Sequence, residues 1–330
     1  MPDLRLTLAC WNYDRTRALA DGSVRPEGID LNYLGLEVEE TFFRMLRHQE
    51  FDVAEMSLSS YTVTLSREDP PFVALPVFPS RMFRHSCIFV SAKSGIREPK
   101  DLVGRRIGVP EYQMTAPVWI RGILQDEHGV DPASVHYFTG GVEETGRDEK
   151  IKLDLPERID VTPIGPTQTL SQMLADGEID ALYTARTPST FTTRPGTVRR
   201  LFDDYVTAER DYHRRTRMIP IMHTEVMRRD IYRAHPWIAQ ALCKAFAEAK
   251  RRARADLDAT NALATMLPWQ IAHVEEARRE LGDDWWPYGL PANRAVLDTF
   301  LRYHHEQGLS KIRLAPEALF APETQEAFRI

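Results

Sequence analysis

The chain has three cysteines in 330 residues, Cys10, Cys87 and Cys243, an odd number with no CxxC spacing. That excludes a disulfide framework and offers no thiolate zinc site; the residues read as reduced, buried thiols of a cytoplasmic protein. Long apolar runs are missing too, since nothing approaches the ~18 uncharged residues of a membrane-crossing helix. Positive charge is not in surplus: 42 Lys and Arg stand against 48 Asp and Glu, a net charge of −6. A field of that sign favours no nucleic-acid partner. The opening Met1–Leu8 carries no basic segment, apolar segment or small-residue cleavage site of a secretory signal. HExxH, GxGxxG, P-loop and GxSxG motifs are all absent, as are 20–50-residue repeats and low-complexity tracts. No cofactor and no metal are expected.

What remains is an ordinary globular composition, 43 % hydrophobic and 27 % charged, with length for about two domains. Leu4–Cys10 alternates at period two and predicts a strand, as does Ile29–Leu34 after the turn Pro26-Glu27-Gly28. Phe42, Met45 and Leu46 recur at helical spacing between Glu39 and Glu50, with acids opening the helix. Phe51–Met56 reads as a short buried strand, and Ser57-Leu58-Ser59-Ser60 caps a helix running toward Arg67. Strand, helix, strand, helix is an α/β pattern.

A second such unit follows. The apolar stretch Cys87–Val90 leads into it, Asp101–Pro110 reads as a turn followed by a strand, and Gln113-Met114-Thr115 opens a Thr-capped helix holding Trp119, Ile120, Ile123 and Leu124. Val135–Phe138 is a strand, 139–161 a long polar loop, and Thr167–Gly177 a helix leading into the strand Ile179–Thr184. Met218–His223 is the next apolar strand. A helix then begins at His235-Pro236-Trp237 with Trp237, Ala241, Ala245 and Phe246 on its apolar face, and the basic run Lys250–Arg254 ends it as a solvated turn.

Two α/β units joined by two extended crossings resemble the periplasmic-binding-protein type II fold, to which Asp101-Leu102-x-Gly104-Arg105-Arg106-Ile107-Gly108-Val109 and the helix after it add a local signature. More specific stretches run along nearly the whole chain. They are Ala9–Thr16, Glu50–Tyr61, Phe78–Ser86, Tyr112–Gly122, Pro220-Ile221-Met222-His223 and Trp286-Pro287-Tyr288-Gly289. These resemble the 4,5-dihydroxyphthalate decarboxylase family, an enzymatic branch of that fold. The resemblance implies an α/β protein of two lobes, each a mixed sheet flanked by helices, joined by two hinge crossings. Residues 1–87 with 219–330 would form one lobe and 88–218 the other.

Non-oxidative removal of a carboxylate from an aromatic ring requires protonation of the ring carbon that bears it. The site then needs a general acid, a base that polarises a phenol, and cations for the retained carboxylate. Arg81 and Arg84 follow a predicted strand, where open α/β sheets bind ligands, and guanidinium matches a carboxylate bidentately. An exposed or inter-domain ion pair explains the same residues. His85 and His223 adjoin the outward and return crossings, where the two imidazoles are expected to approach each other and deliver a proton; a structural histidine at a hinge is the bland reading. Glu55 lies inside an otherwise apolar strand, so its carboxylate must be paired or its pKa raised. It would orient a histidine, accept a phenolic proton, or simply partner an Arg. Ser57, Ser59, Ser60 and Thr115 begin helices whose N-termini suit a carboxylate, although simple capping accounts for them equally. Tyr13, Arg15 and Arg186 are further candidates by position. His304-His305 reads as surface or packing.

The expectation is therefore a cytoplasmic carboxy-lyase acting on a small-molecule aromatic dicarboxylate in an interlobe cleft, converting 4,5-dihydroxyphthalate to protocatechuate and CO2. No nucleic acid or membrane is involved, and a homo-oligomer is expected. The rival is a non-catalytic solute-binding protein of an ABC-type transporter for an aromatic acid. Fold alone does not separate the two.

Overall fold

The computed structural model describes residues 3–325. In chain order the strands are β1 (Leu4–Cys10), β2 (Ile29–Gly35), β3 (Val53–Ser57), β4 (Phe72–Leu75), β5 (Ile88–Ser91), β6 (Arg106–Val109), β7 (His136–Thr139), β8 (Asp160–Pro163), β9 (Ala181–Tyr183), β10 (Val198–Arg200) and β11 (His223–Arg228). The chain divides into two compact units. Unit 1 comprises 1–81, 221–297 and 315–330; unit 2 comprises 82–220 and 298–314.

Unit 1 is built on a five-stranded sheet of order β2-β1-β3-β11-β4. β2 and β3 lie parallel to β1, while β11 runs antiparallel to both β3 and β4. One face packs on the helix Ile238–Asp258, where Leu6, Leu8, Val53, Val73, Leu75 and Met227 meet Ile238, Leu242, Ala245 and Phe246. The alternation of β1 and the small, apolar face of the helix make that contact close.

Unit 2 has a six-stranded sheet of order β10-β5-β9-β6-β7-β8. β6, β7, β8 and β9 are parallel, and β5 is antiparallel to β9 and β10. Each sheet is thus parallel with one reversed strand, and that strand is the first after the chain enters or re-enters the unit. Among the described residues no helix is long and apolar enough to cross a membrane.

Several expectations need correction. The strand expected at 218–223 begins only at His223 and runs to Arg228. Pro220 has no N–H to give a central ladder, so the apolar run before it leads into the strand without forming it. β8 falls at the end of the supposed loop 139–161. The helix expected to stop at the basic run continues to Asp258, and Trp237 at its start is 46 % exposed instead of buried. Thr115 is the first residue of its helix; Met114 occupies the cap and makes no side-chain cap bond.

The unit boundaries fall at 81/82 and 220/221, against the expected 87/88 and 218/219. Arg81 bridges Ile221 on one side of that step, and the Met82 N–H donates to the Pro220 carbonyl on the other. Residues 298–314 also leave the lobe in which 219–330 was expected to stay whole. The helix Leu290–Glu306 is cut by the boundary because its second half packs on Thr115–His128: Trp119 meets Phe300 and Tyr303, and Tyr303 Oη donates to Asp126 at 2.6 Å. A Cβ on Gly122 would stand 2.1 Å from the Tyr303 ring, so that helix pair demands a glycine there.

Candidate active site

Along β3 and β11 the same face changes character from one end to the other. Met227 pairs with Val53 in the core, Glu225 pairs with Glu55 one step up, and His223 pairs with Ser57 at the rim. Because side chains alternate, these six residues share one face of the sheet. Exposure rises in the same direction: Glu55 and Glu225 are 0 % exposed, and the His223 side chain 16 %.

Glu55 is the centre. Its Oε1 lies 2.6 Å from His223 Nδ1 and accepts from Tyr13 Oη at 2.6 Å. Its Oε2 accepts from the Trp11 N–H at 3.0 Å and from the Cys10 thiol at 3.6 Å. Burial works to raise the Glu55 carboxyl, but the hydrogen bond and charge of His223, with Tyr13 and Trp11 behind it, outweigh burial and hold it below the ordinary range. Burial and the Glu55 charge together push the Tyr13 phenol far up, so Tyr13 stays a donor. Phe42 sets its ring edge-on to His223 at 4.9 Å.

With Nδ1–H given to a carboxylate, the imidazole is fixed in orientation and Nε2 is the nitrogen left to carry an exchangeable proton. An imidazole held this way can deliver that proton to carbon.

Beside this group Arg15 is stacked, its guanidinium 4.0 Å from the Tyr13 ring centroid and 4.4 Å from that of Trp286. Nε donates to the Pro79 carbonyl at 2.6 Å, and Nη1 pairs with Asp14. The Trp286 indole N–H donates to the Phe78 carbonyl. The stack holds a planar cation, itself well suited to carboxylate recognition, at a fixed angle.

The helix Leu58–Thr64 follows β3 directly, with Ser57 as N-cap accepting from the Ser60 N–H; Ser59 and Ser60 are buried in its first turn. Arg81 also belongs to unit 1, but it is turned inward. Its Nη2 donates to the Pro287 carbonyl at 2.6 Å and to Asn293, and burial lowers its pKa to about 10, so it remains a cation. The residue is 7 % exposed and ties the 287–293 segment to the sheet, a structural use that the sequence pattern did not single out.

The other candidates lie in unit 2. His85 is 4 % exposed, packed against Phe202 at 5.2 Å and Tyr212 at 5.4 Å. Burial, helped by His128 and Arg215, pushes its pKa down to about 4, so it is a neutral imidazole at pH 7. This differs from the expected proton donor: an apolar, aromatic pocket disfavours the charged form. Arg84 is buried with Nη1 3.5 Å from the Cys87 sulfur. Thr115 is buried in the first turn of its helix, and Arg186 is exposed, its N–H donating to Thr184 Oγ1. His304, expected at the surface or in packing, is fully buried, with Nδ1 2.9 Å from Ser310 Oγ. Among the described residues no group of three or more His, Cys, Asp or Glu side chains could hold a metal ion.

The chain is 43 % identical, over all 330 residues and the whole of the relative, to 4,5-dihydroxyphthalate decarboxylase of Comamonas testosteroni. It belongs to the 4,5-dihydroxyphthalate decarboxylase family. A second protein of that name, from Pseudomonas putida, is 46 % identical over 65 % of this chain and 83 % of its own length. Residues 25–149 match the NMT1/THI5-like family model. Among solved structures, a putative periplasmic sulfonate-binding protein from Methylobacillus flagellatus aligns over 98 % of this chain and 93 % of its own at a TM-score of 0.55 and 14 % identity. That likeness shows the fold, the type II periplasmic-binding-protein class.

Within this family member, sequence reasoning missed Trp286 as a partner of Arg15, Phe42 beside His223, and Glu225 altogether. Trp286 lies in the stretch Trp286-Pro287-Tyr288-Gly289 that carries the family resemblance, whereas Glu225 was hidden by the misplaced strand.

Proposed function

We propose that this protein is a carboxy-lyase that converts 4,5-dihydroxyphthalate to protocatechuate and CO2, with His223 as the general acid. The observation that carries the reading is the fully buried Glu55 holding His223 Nδ1 at 2.6 Å while Tyr13 and the Trp11 N–H saturate the same carboxylate. The two relatives of that name, one of them aligned over its whole length, support the substrate class and favour an enzyme over a receptor.

In this reading the imidazolium gives its Nε2 proton to the ring carbon bearing the carboxylate. The hydroxyl para to that carbon releases its proton to water as its electrons enter the ring, leaving a dienone. The bond to the carboxylate then breaks, CO2 departs, and the bonding pair restores the aromatic ring while the phenol oxygen regains a proton. One proton is consumed overall, and His223 recovers it from solvent after product release. Arg15, fixed between Tyr13 and Trp286, binds the retained carboxylate. Glu55 remains ionised throughout and acts on the imidazole, not on the substrate. The three buried, free cysteines support a reducing compartment such as the cytoplasm.

The deciding experiment incubates purified protein with 4,5-dihydroxyphthalate in deuterated water, following CO2 release and the mass of the product. One deuterium on the protocatechuate ring and its loss of formation in His223→Asn are expected. Tight binding of the dicarboxylate with no CO2 would overturn the reading in favour of a receptor.

A further inference from the structure

One step toward the core from His223, two acids face each other. Glu225 on β11 and Glu55 on β3 are register partners on the same face of the sheet, and both are completely buried. Directly opposed residues of an antiparallel pair stand about 4.5–5.5 Å apart at Cβ, and like charges so placed repel. The Glu55 carboxylate is saturated by His223, Tyr13, Trp11 and Cys10. Neither Glu225 oxygen receives a full hydrogen bond among the described residues, and the Cys10 thiol is the one donor that faces them. On its other flank β4 offers Leu75.

The remaining titratable groups near Glu225 are Cys10 of β1, Tyr33 of β2 and Tyr288, none of them a cation. A carboxylate in that position would be an uncompensated buried charge. Burial and the Glu55 charge accordingly push the Glu225 carboxyl well above its ordinary range.

We infer that Glu225 is held as a neutral acid behind Glu55, so that a single negative charge faces the imidazolium of His223. Two carboxylates would hold that proton more tightly than one and make it a weaker acid toward a ring carbon. The inference rests on the functional reading for its catalytic meaning, but the charge of Glu225 is testable without it.

The test is Glu225→Gln, which keeps shape and neutrality. In the unfolded wild type this carboxyl ionises above its ordinary value of 4.5. In the folded state it does not, so wild-type stability falls with rising pH relative to the variant. The melting temperature of Glu225→Gln should therefore exceed that of wild type by a growing margin from pH 5 to pH 8. Turnover of 4,5-dihydroxyphthalate should stay within about threefold, with the alkaline limb of the kcat profile unmoved.

A margin that is flat with pH, or an alkaline limb displaced downward by about one unit, would mean that Glu225 is ionised and would overturn the inference. If the variant does not fold, the infrared carbonyl band of a protonated carboxyl in glutamate-labelled wild type at pH 9 decides. Burial leaves Glu149 ionised there, since its pKa is raised only to about 7. Absence of the band refutes the inference. Should wild type fail to decarboxylate at all, the functional reading falls while the melting series still reports on Glu225.

Discussion

β5 and β11 occupy the same topological place, each the reversed strand in an otherwise parallel sheet and each the first strand after a crossing. Their contents differ completely. β5 reads Ile88-Phe89-Val90-Ser91, buried throughout, and its sheet partners are Tyr183, Leu182 and Ala181 on one side. β11 reads His223-Thr224-Glu225-Val226-Met227-Arg228 and puts an imidazole and a buried acid on the face that carries Glu55. The histidine near β5, His85, is neutral in an aromatic pocket; the histidine that opens β11 is bonded to a carboxylate. A repeated architecture thus holds chemistry in one copy and only packing in the other. What decides between them is a charged partner on the adjacent strand.

Five substitutions can break that contrast. His223→Asn should lower kcat by about 10²–10⁴, the contribution of a positioned general acid, measured by CO2 release. Equal loss in His85→Asn would erase the distinction between the two histidines; that variant is expected to keep kcat within about threefold. Glu55→Gln should cost about 10²-fold in kcat by releasing the imidazole, with circular dichroism unchanged. The wild-type acid limb, for its part, should lie below the ordinary glutamate value of 4.5, since His223 and its neighbours hold Glu55 down. Stability that Glu55 contributes is present above 4.5 and is lost as pH falls through its lowered pKa. Tyr13→Phe removes one hydrogen bond to that carboxylate and should destabilise the fold by about 1–2 kcal/mol in urea titration. Phe89→Leu in β5 should cost about 1 kcal/mol of stability while leaving kcat alone, the smallest effect and the one that marks β5 as core.

Much of this was legible in the residues. β1 and β2 showed their alternation, the Ser57 cap sat where a strand meets a helix, and an acid inside Val53-Ala54-Glu55-Met56 announced a buried carboxylate in need of a partner. His223 was equally visible. Glu225 was not, because the apolar run 218–222 has the look of a strand, while the true strand carries polar residues that are buried only through tertiary pairing. Arg81 and Arg84 illustrate the opposite limit. Sequence placed them after a strand, but whether a guanidinium turns outward to a ligand or inward to Pro287 and Asn293 depends on segments two hundred residues away. The exchange of 298–314 between units had the same origin: helix periodicity names an apolar face and says nothing of which sheet it will cover.

The position of β11 between β3 and β4 has a bearing on how the protein is made. A nascent chain emerging from the ribosome presents β3 and β4 long before residue 223 exists, and until then both carry open edges facing a gap in the sheet. Met82–Pro220 can meanwhile pair all six of its own strands, so the second sheet is complete before the first, although its unit still waits for 298–314. Polypeptides released early, before Arg228, would leave those edges bare and adhesive, and premature termination should yield insoluble fragments in preference to soluble half-proteins.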